Sequence, residues 1–465
     1  MMRAIAPLLA LGLLIGGCSS YTAAHLPEAP SFPVGLSKVG QGEALPGHGP
    51  TAGHPFDARD GLDFTEVATL AVVNNPDLRI ARLAARLTAA QSFAAGLLPD
   101  PQINLSRDLP EVVLTGGSSA FVAGIGYAIN ALVTHSSIKE AGDQDTVQAD
   151  LNLLWQEWQV IAQARLQFVR LQAAAERKAL LMRTHDVVAD RYRRAGAALA
   201  AGLLTIDAVA PQLAALQDVE RQLHDLERQT NQARFDLVAL LGLAPDTPLV
   251  LQGNVSLPPA DAAALETGLA ARLNTRPDLR ALRAGYAAQD ARYRVALLQQ
   301  FPALTFGVQR SRDTSNVYTR GFAINLGLPV FNGNRGEVRV QDATRDKLRA
   351  EYQQRLNAGS LDIHRALAEH AISTRQLADT EAALVALRSA TARLRTAFDA
   401  HNIDALALAT LELSTLAKES ERLDALQALQ EQRIGLLTLA GPTGDDLLPP
   451  SSYRTPSRTE RTPSP

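Results

Sequence analysis

Histidine, cysteine, paired carboxylates and glycine loops supply most catalytic and ligand sites, and here their spacing matches none of the usual geometries. His364 and His370 lie six residues apart, so on a helix they do not share a face as zinc ligands at i and i+4 would. Glu369-His370 has no second histidine in position, and both histidines read as solvated helix residues. His48 and His54 fall in a stretch rich in Pro and Gly, where a metal would be touched only transiently. Gly124-Ile125-Gly126 and Gly333-Asn334-Arg335-Gly336 lack the spacing and the following lysine of a phosphate loop. Trp155 and Trp158, three residues apart, suit helix packing better than a ligand platform. A single cysteine, Cys18, excludes an intrachain disulfide and any cysteine-based zinc or redox centre. No catalytic residue, no metal and no cofactor is therefore expected, and the chain does not read as an enzyme.

The chemistry open to Cys18 is acylation. Arg3 precedes an apolar run from Ala4 to Ile15, and small residues follow, which is the pattern of a secretory signal over residues 1–17. Leu14-Ile15-Gly16-Gly17-Cys18 resembles a bacterial lipobox, whose cysteine thiol receives a diacylglycerol; the alternative is an ordinary signal peptide with a chance cysteine. Ser19, where an aspartate would favour inner-membrane retention, points to the outer membrane. Acyl chains would tether the N-terminus by about 0.8 kcal/mol per buried methylene. With 45 Lys+Arg against 48 Asp+Glu there is no basic excess of the kind nucleic acid requires. Residues 18–62, punctuated by six prolines from Pro27 to Pro55, read as a lipidated extended segment, and 442–465 as a disordered tail.

Between these flanks the chain repeats itself. Pro76-Asp77-Leu78-Arg79 recurs 201 residues later as Pro277-Asp278-Leu279-Arg280, and Pro101 and Phe121 recur at the same offset as Pro302 and Phe322. Leu216, Leu223, Leu226 and Leu237 return as Leu416, Leu423, Leu426 and Leu437, 200 residues on. The expected units are 63–252 and 253–441, each with a helix, two strands and a long helical hairpin. Prolines 99, 101 and 302 stop the first helices. Period-two alternation follows: Ile103 and Leu105, then Phe121 to Ile129 by twos, and in the second unit Leu304, Phe306 and Val308, then Phe322, Ile324, Leu326 and Leu328. Gly124, Gly126, Asn325 and Gly327 take the opposite face. The run Ala120 to Val133 is too short and too rich in Gly for a spanning helix.

Long rods close each unit. From about Ile138 to Ala195 there is no proline and one glycine, enough for a helix of roughly 90 Å. Heptad seams run through Leu216, Val219, Leu223, Leu226, Thr230, Ala233, Leu237 and Leu240, and through Leu377, Thr380, Leu384, Leu387, Thr391, Leu394 and Phe398. Gly242 and Gly441 end the return helices. Such rods carry charges (Arg165, Arg170, Glu176) that bar them from lipid. Four strands cannot cross a bilayer alone, because an open edge would strand backbone N–H and C=O groups in hydrocarbon, so several copies must close one barrel.

Duplication, lipobox and the segment Leu328-Pro329-Val330-Phe331-Asn332-Gly333-Asn334-Arg335-Gly336 together resemble the TolC-like outer-membrane efflux factors, over about Asp63 to Gly441. In the strand-to-helix motif, Leu328, Pro329, Phe331, Asn332, Gly333, Arg335 and Gly336 carry the likeness. The resemblance implies a mainly α protein with β: a homotrimer whose chains each give four strands to a transmembrane β-barrel, continued by a long periplasmic α-helical barrel. It implies a periplasmic adaptor, an inner-membrane pump of the resistance-nodulation-division type and outer-membrane lipids as partners, and passive export as the activity. The tips of the hairpins would meet the adaptor: Gly202, Leu203, Leu204, Thr205 and Asp207 in the first, Asn402, Ile403 and Asp404 in the second. Gly202 would supply the turn, Thr205 or Asp207 the cap, and Asn402 would stand where glycine is usual.

Two other readings compete. A periplasmic adaptor lipoprotein would need lipoyl-like and β-barrel modules around one hairpin, whereas two equivalent hairpins are expected here. A structural coiled-coil envelope protein leaves the alternating strands without a purpose.

Overall fold

The structure is a computed structural model that describes residues 21, 23–32, 60–109, 118–255, 257 and 266–441. The proposed signal, Cys18 and the tail from 442 lie outside the described residues. Tyr21 and residues 23–32 are exposed and form neither helix nor strand.

From residue 60 onward the order is α1 (Phe64–Asn74), α2 (Pro76–Ala95), β1 (Gln102–Asp108), β2 (Ala120–Ala128), α3 (Ile129–Ala200) and α4 (Ile206–Leu240). It then repeats as α5 (Leu269–Thr275), α6 (Pro277–Leu298), β3 (Ala303–Arg312), β4 (Tyr318–Gly327), α7 (Arg335–Asp399) and α8 (Ala405–Ala440). Asp63 starts α1 with a capping box, accepting from Thr65 N and Glu66 N while Glu66 reaches back to the Asp63 N–H at 2.9 Å. Pro76 and Pro277 open α2 and α6 at the first helical turn, where a missing N–H costs nothing.

The strands form one antiparallel sheet in the order β1-β2-β3-β4, so the two units join through β2 and β3. The first rod outruns the expected span of Ile138 to Ala195 at both ends. Helix α3 has 72 residues, about 110 Å at 1.5 Å per residue, and α7 has 65. Ile129, expected as the last strand residue, instead opens α3, because nothing between it and Ile138 interrupts a helix.

Both heptad seams are buried or half-buried along their whole length, with Val219, Leu226, Leu237, Thr380 and Leu384 deepest. The main core gathers where the rods meet the short helices: Phe64, Val67, Leu70 and Leu78 pack on Leu153, Phe168, Leu237 and Ile434. Phe64 meets Phe168 edge-on at 5.7 Å. A second cluster, Leu273, Leu279, Ile363, Leu367 and Leu436, repeats the arrangement for the other unit. Helices α3 and α8 are zipped by Arg170–Glu431 at 3.1 Å, Arg177–Asp424 and Arg183–Glu419 at 3.4 Å. Such exposed pairs add about 0–1 kcal/mol each.

Candidate functional site

The strand register sorts the sheet into two chemically distinct faces. Ile103, Ile125, Val308 and Phe322 stand in one cross-strand row, and Tyr127, Phe306 and Ile324 in the next. Ile103, Ile125, Phe306, Val308, Phe322, Ile324 and Leu326 are all exposed, so this apolar face has no cover in the isolated chain. The opposite face carries Asn104, Ser106, Gly124, Gly126, Thr305, Gly307, Gln309, Ala323 and Asn325. The backbones approach closely at Gly307, where a Cβ would sit 3.0 Å from the Ile125 carbonyl oxygen. Among the described residues no strand pairs with the outer edge of β1 or of β4. Among the described residues no helix is long and apolar enough to cross a membrane, and none of the described His, Cys, Asp and Glu residues group as metal ligands.

The expected strand-to-helix motif follows β4 and runs into α7, whose first residues are Arg335 and Gly336. Gly333 N–H donates to the Pro329 carbonyl at 3.0 Å, and Arg335 N–H to that of Asn332 at 3.1 Å, folding the segment into two successive turns. Gly333 (φ +53°) and Asn334 (φ +54°) are both left-handed, conformations suited to glycine and tolerated by asparagine. The Asn334 side chain donates to the Ala296 carbonyl at 2.8 Å, pinning the junction to the end of α6. Asn334 is not among the residues that carry the family likeness, yet its dihedral and its bond make it the anchor. Phe331 is 97% exposed and Leu328 62%, so the motif presents an uncovered apolar surface.

At the first tip Gly202 is left-handed (φ +72°), and the Leu203 N–H donates to Ala198 O while Gly202 N–H donates to Leu199 O, a Schellman closure. Thr205 occupies the N-cap position of α4, but its hydroxyl donates to the Asp207 carboxylate at 3.3 Å and makes no side-chain cap to the backbone. The second tip closes identically through Asn402 N–H to Ala397 O and His401 N–H to Phe398 O. There the left-handed residue is His401 (φ +59°), and not Asn402, the residue expected in the place of the usual glycine. Asp404 caps α8, accepting from Ala407 N at 2.7 Å. Leu203 and Leu204 are exposed and Ile403 is half-buried. Beside the tips, a cleft of about 730 Å³ runs between the hairpins, lined by Asp186, Asp190, Arg194, Leu204, Arg395 and Glu412. Arg395 bridges to Glu412 at 2.8 Å and Arg194 to Asp190 at 2.7 Å.

A buried charge that the sequence did not disclose fixes the second unit. Arg276, 1% exposed, forks onto Asp278 at 3.0 and 2.8 Å, donates to the Leu439 carbonyl at 3.2 Å and lies 5.1 Å above the Trp155 ring. Arg355 adds a second cation to Asp278 at 2.8 Å. In the first unit Asn75 does the same work with a neutral group, donating to the Leu240 carbonyl at 2.9 Å and capping α2 through Leu78 N. Trp155 thus packs as expected, with an arginine as its partner. His370 is half-buried instead of solvated, and burial together with the nearby Arg433 charge lowers its pKa. Burial also pushes Arg165, stacked 5.1 Å over the Phe64 ring, down to about 10.

No protein-family model and no curated protein sequence matches the chain significantly. Solved structures do. The chain is similar to the outer-membrane channel OprN, with a TM-score of 0.69 at 17% identity over 92% of this chain and 100% of that one. It is similar to the open state of the Neisseria gonorrhoeae MtrE outer membrane channel, with 0.66 at 21% identity over 81% and 89%. The Campylobacter jejuni CmeC outer membrane channel gives 0.66 at 16% identity over 91% and 95%. The fold is that of the TolC-like outer-membrane channels: rods, paired hairpins and a four-stranded sheet in one duplicated chain.

Proposed function

We propose that the chain is the outer-membrane channel of a tripartite efflux system, a passive conduit and not an enzyme. Three copies each contribute four strands to a twelve-stranded barrel, and their rods continue it into the periplasm. One observation carries the reading: a four-stranded antiparallel sheet with an uncovered apolar face, a small and polar opposite face, and two unpaired edges. Lipid can cover the first face and water the second, but the edges become compatible with a bilayer only when copies pair them. The solved channels that share the fold support the same assignment.

The finer parts of the reading rest on sequence and local geometry. Cys18 would carry the lipid anchor, with the mature chain starting there, and units 63–252 and 253–441 would form the repeats. The tip residues Gly202, Leu203, Leu204, Thr205, Asp207, Asn402, Ile403 and Asp404, with the charged cleft between the hairpins, would receive a periplasmic adaptor coupled to an inner-membrane pump of the resistance-nodulation-division type. Leu328, Pro329, Phe331, Asn332, Gly333, Arg335 and Gly336 would set the passage from barrel to rod. Fractionation tests the core of this proposal. Heat-modifiable trimers in the outer membrane that conduct ions in planar bilayers are the expected result; a chain recovered only from the inner membrane, or as a water-soluble monomer, overturns it.

A further inference from the structure

The apolar face of the sheet does not stay apolar along its length. At the end remote from the rods, beside the Asp313–Val317 turn, Arg107, Arg310, Arg312 and Arg320 replace the aliphatic residues on the same face. Arg310 and Arg320 stand directly opposite each other across β3 and β4, where like charges repel. Arg107, Phe121, Arg312 and Tyr318 form the adjoining row, which puts Arg107 and Arg312 two strands, about 10 Å, apart.

Three of the four arginines are exposed and Arg312 is half-buried. Arg312 lies 5.5 Å over the Phe121 ring and 5.9 Å over that of Tyr318, and donates to the Ser119 carbonyl at 2.7 Å. Arg310 lies 5.5 Å over Tyr318. Among the described strand residues, no Asp or Glu shares this face. Asp108 belongs to the other face, and the Asp313 carboxylate is engaged by Ser315 N and Val317 N at the turn. None of the four arginines has an ion-pair partner among the described residues.

We infer that this arginine row is a docking site for the phosphate groups of the phosphorylated glycolipid in the outer leaflet, an inference that rests on the barrel reading above. A cation on the lipid face is tolerated only at headgroup depth, and the aromatic rings alongside it belong to the same interfacial belt. Guanidinium forks match phosphate oxygens two at a time. An anion between Arg310 and Arg320 turns a mutual repulsion into a shared contact, and Arg312 and Arg107 continue the track for a second phosphate.

The test is co-flotation of the full-length purified protein with phosphatidylcholine vesicles carrying either a bisphosphorylated glucosamine lipid or the same lipid stripped of both phosphates. Wild type is expected to favour the phosphorylated vesicles by on the order of tenfold, the size of one lost charge-assisted contact. Arg310→Gln/Arg320→Gln should lose that preference, and Arg310→Lys/Arg320→Lys should keep part of it, with trimers and conductance unchanged. Equal flotation of wild type with both vesicles overturns the site and leaves the barrel intact, as does a Gln double variant that keeps the wild-type preference. A wild-type protein that floats with neither overturns the barrel reading and this site with it. The comparison of lipids on wild type needs no variant to fold.

Discussion

Asn75 and Arg276 occupy equivalent places before the repeated Pro-Asp-Leu-Arg, and both reach back to a carbonyl near the end of a return helix, Leu240 or Leu439. The neutral donor does this cheaply; the charged one must be matched, and Asp278 matches it. Removing the match leaves a buried cation, so Asp278→Asn should destabilise the chain by about 3 kcal/mol, read as a lower urea midpoint. Burial by itself raises the Asp278 pKa, but the hydrogen bonds and charges of Arg276 and Arg355 outweigh it and hold the group below its ordinary 3.8. With the folded value below the unfolded one, the carboxylate's contribution is complete above 3.8 and drains as pH falls through the folded value. Acid titration of the urea midpoint should therefore fall more steeply below that pH in wild type than in Asp278→Asn. His401 offers the opposite case, a side chain held at φ +59° by the Schellman closure around it. His401→Gly should stabilise the chain by about 1 kcal/mol, seen as a raised midpoint, because only glycine takes this conformation without steric cost. Neither residue was legible in the sequence. An arginine before proline looks like any surface charge, and a one-residue shift in a tip turn cannot be read when His401 and Asn402 are both polar.

Strands and helices were far more legible than these residues, since each has a period that the side chains must obey. The alternation at Leu304-Phe306-Val308 and at Phe322-Ile324-Leu326 falls on one face of the sheet, and the heptad leucines fall in the interhelical seams. Boundaries were less legible: Ile129 continues the parity of β2 yet begins α3, because an apolar residue satisfies either period. The two faces give a sharp contrast between neighbours. Val308 lies on the apolar face and Gln309 on the small, polar one, one residue apart on β3. A lysine in hydrocarbon costs about 2–4 kcal/mol near the bilayer midplane and little in water. Val308→Lys should therefore lose most heat-modifiable trimer, whereas Gln309→Lys should assemble normally and shift conductance towards anions. Equal behaviour of the two would mean that lipid and lumen are not on opposite sides of this sheet.

At the scale of the whole molecule, the unfinished business of one chain is the pair of edges β1 and β4, and the duplication says how copies should meet. Within the chain β2 pairs with β3, joining the first unit to the second through partners such as Ile125 with Val308 and Gly124 with Gln309. Shifting β2 forward and β3 back by the 201-residue repeat turns that ladder into one between β4 and the β1 of a neighbouring copy. The same register then sets Asn325 opposite Asp108 and Gly327 opposite Ser106, all four on the polar face, and on the other face Leu328 opposite Leu105 and Leu326 opposite Arg107. Paired positions in such a ladder have Cα atoms about 4.5–5.5 Å apart, within reach of a disulfide. The chain has only Cys18 to confuse the result. Asp108→Cys/Asn325→Cys should thus give a ladder ending at a cross-linked trimer on a non-reducing gel, collapsing to monomer with reductant. Each single variant should remain monomeric there, since neither residue faces its own copy across the junction. A double variant that cross-links within one chain, or only to dimer, would break the three-fold closure of edges on which the conduit depends.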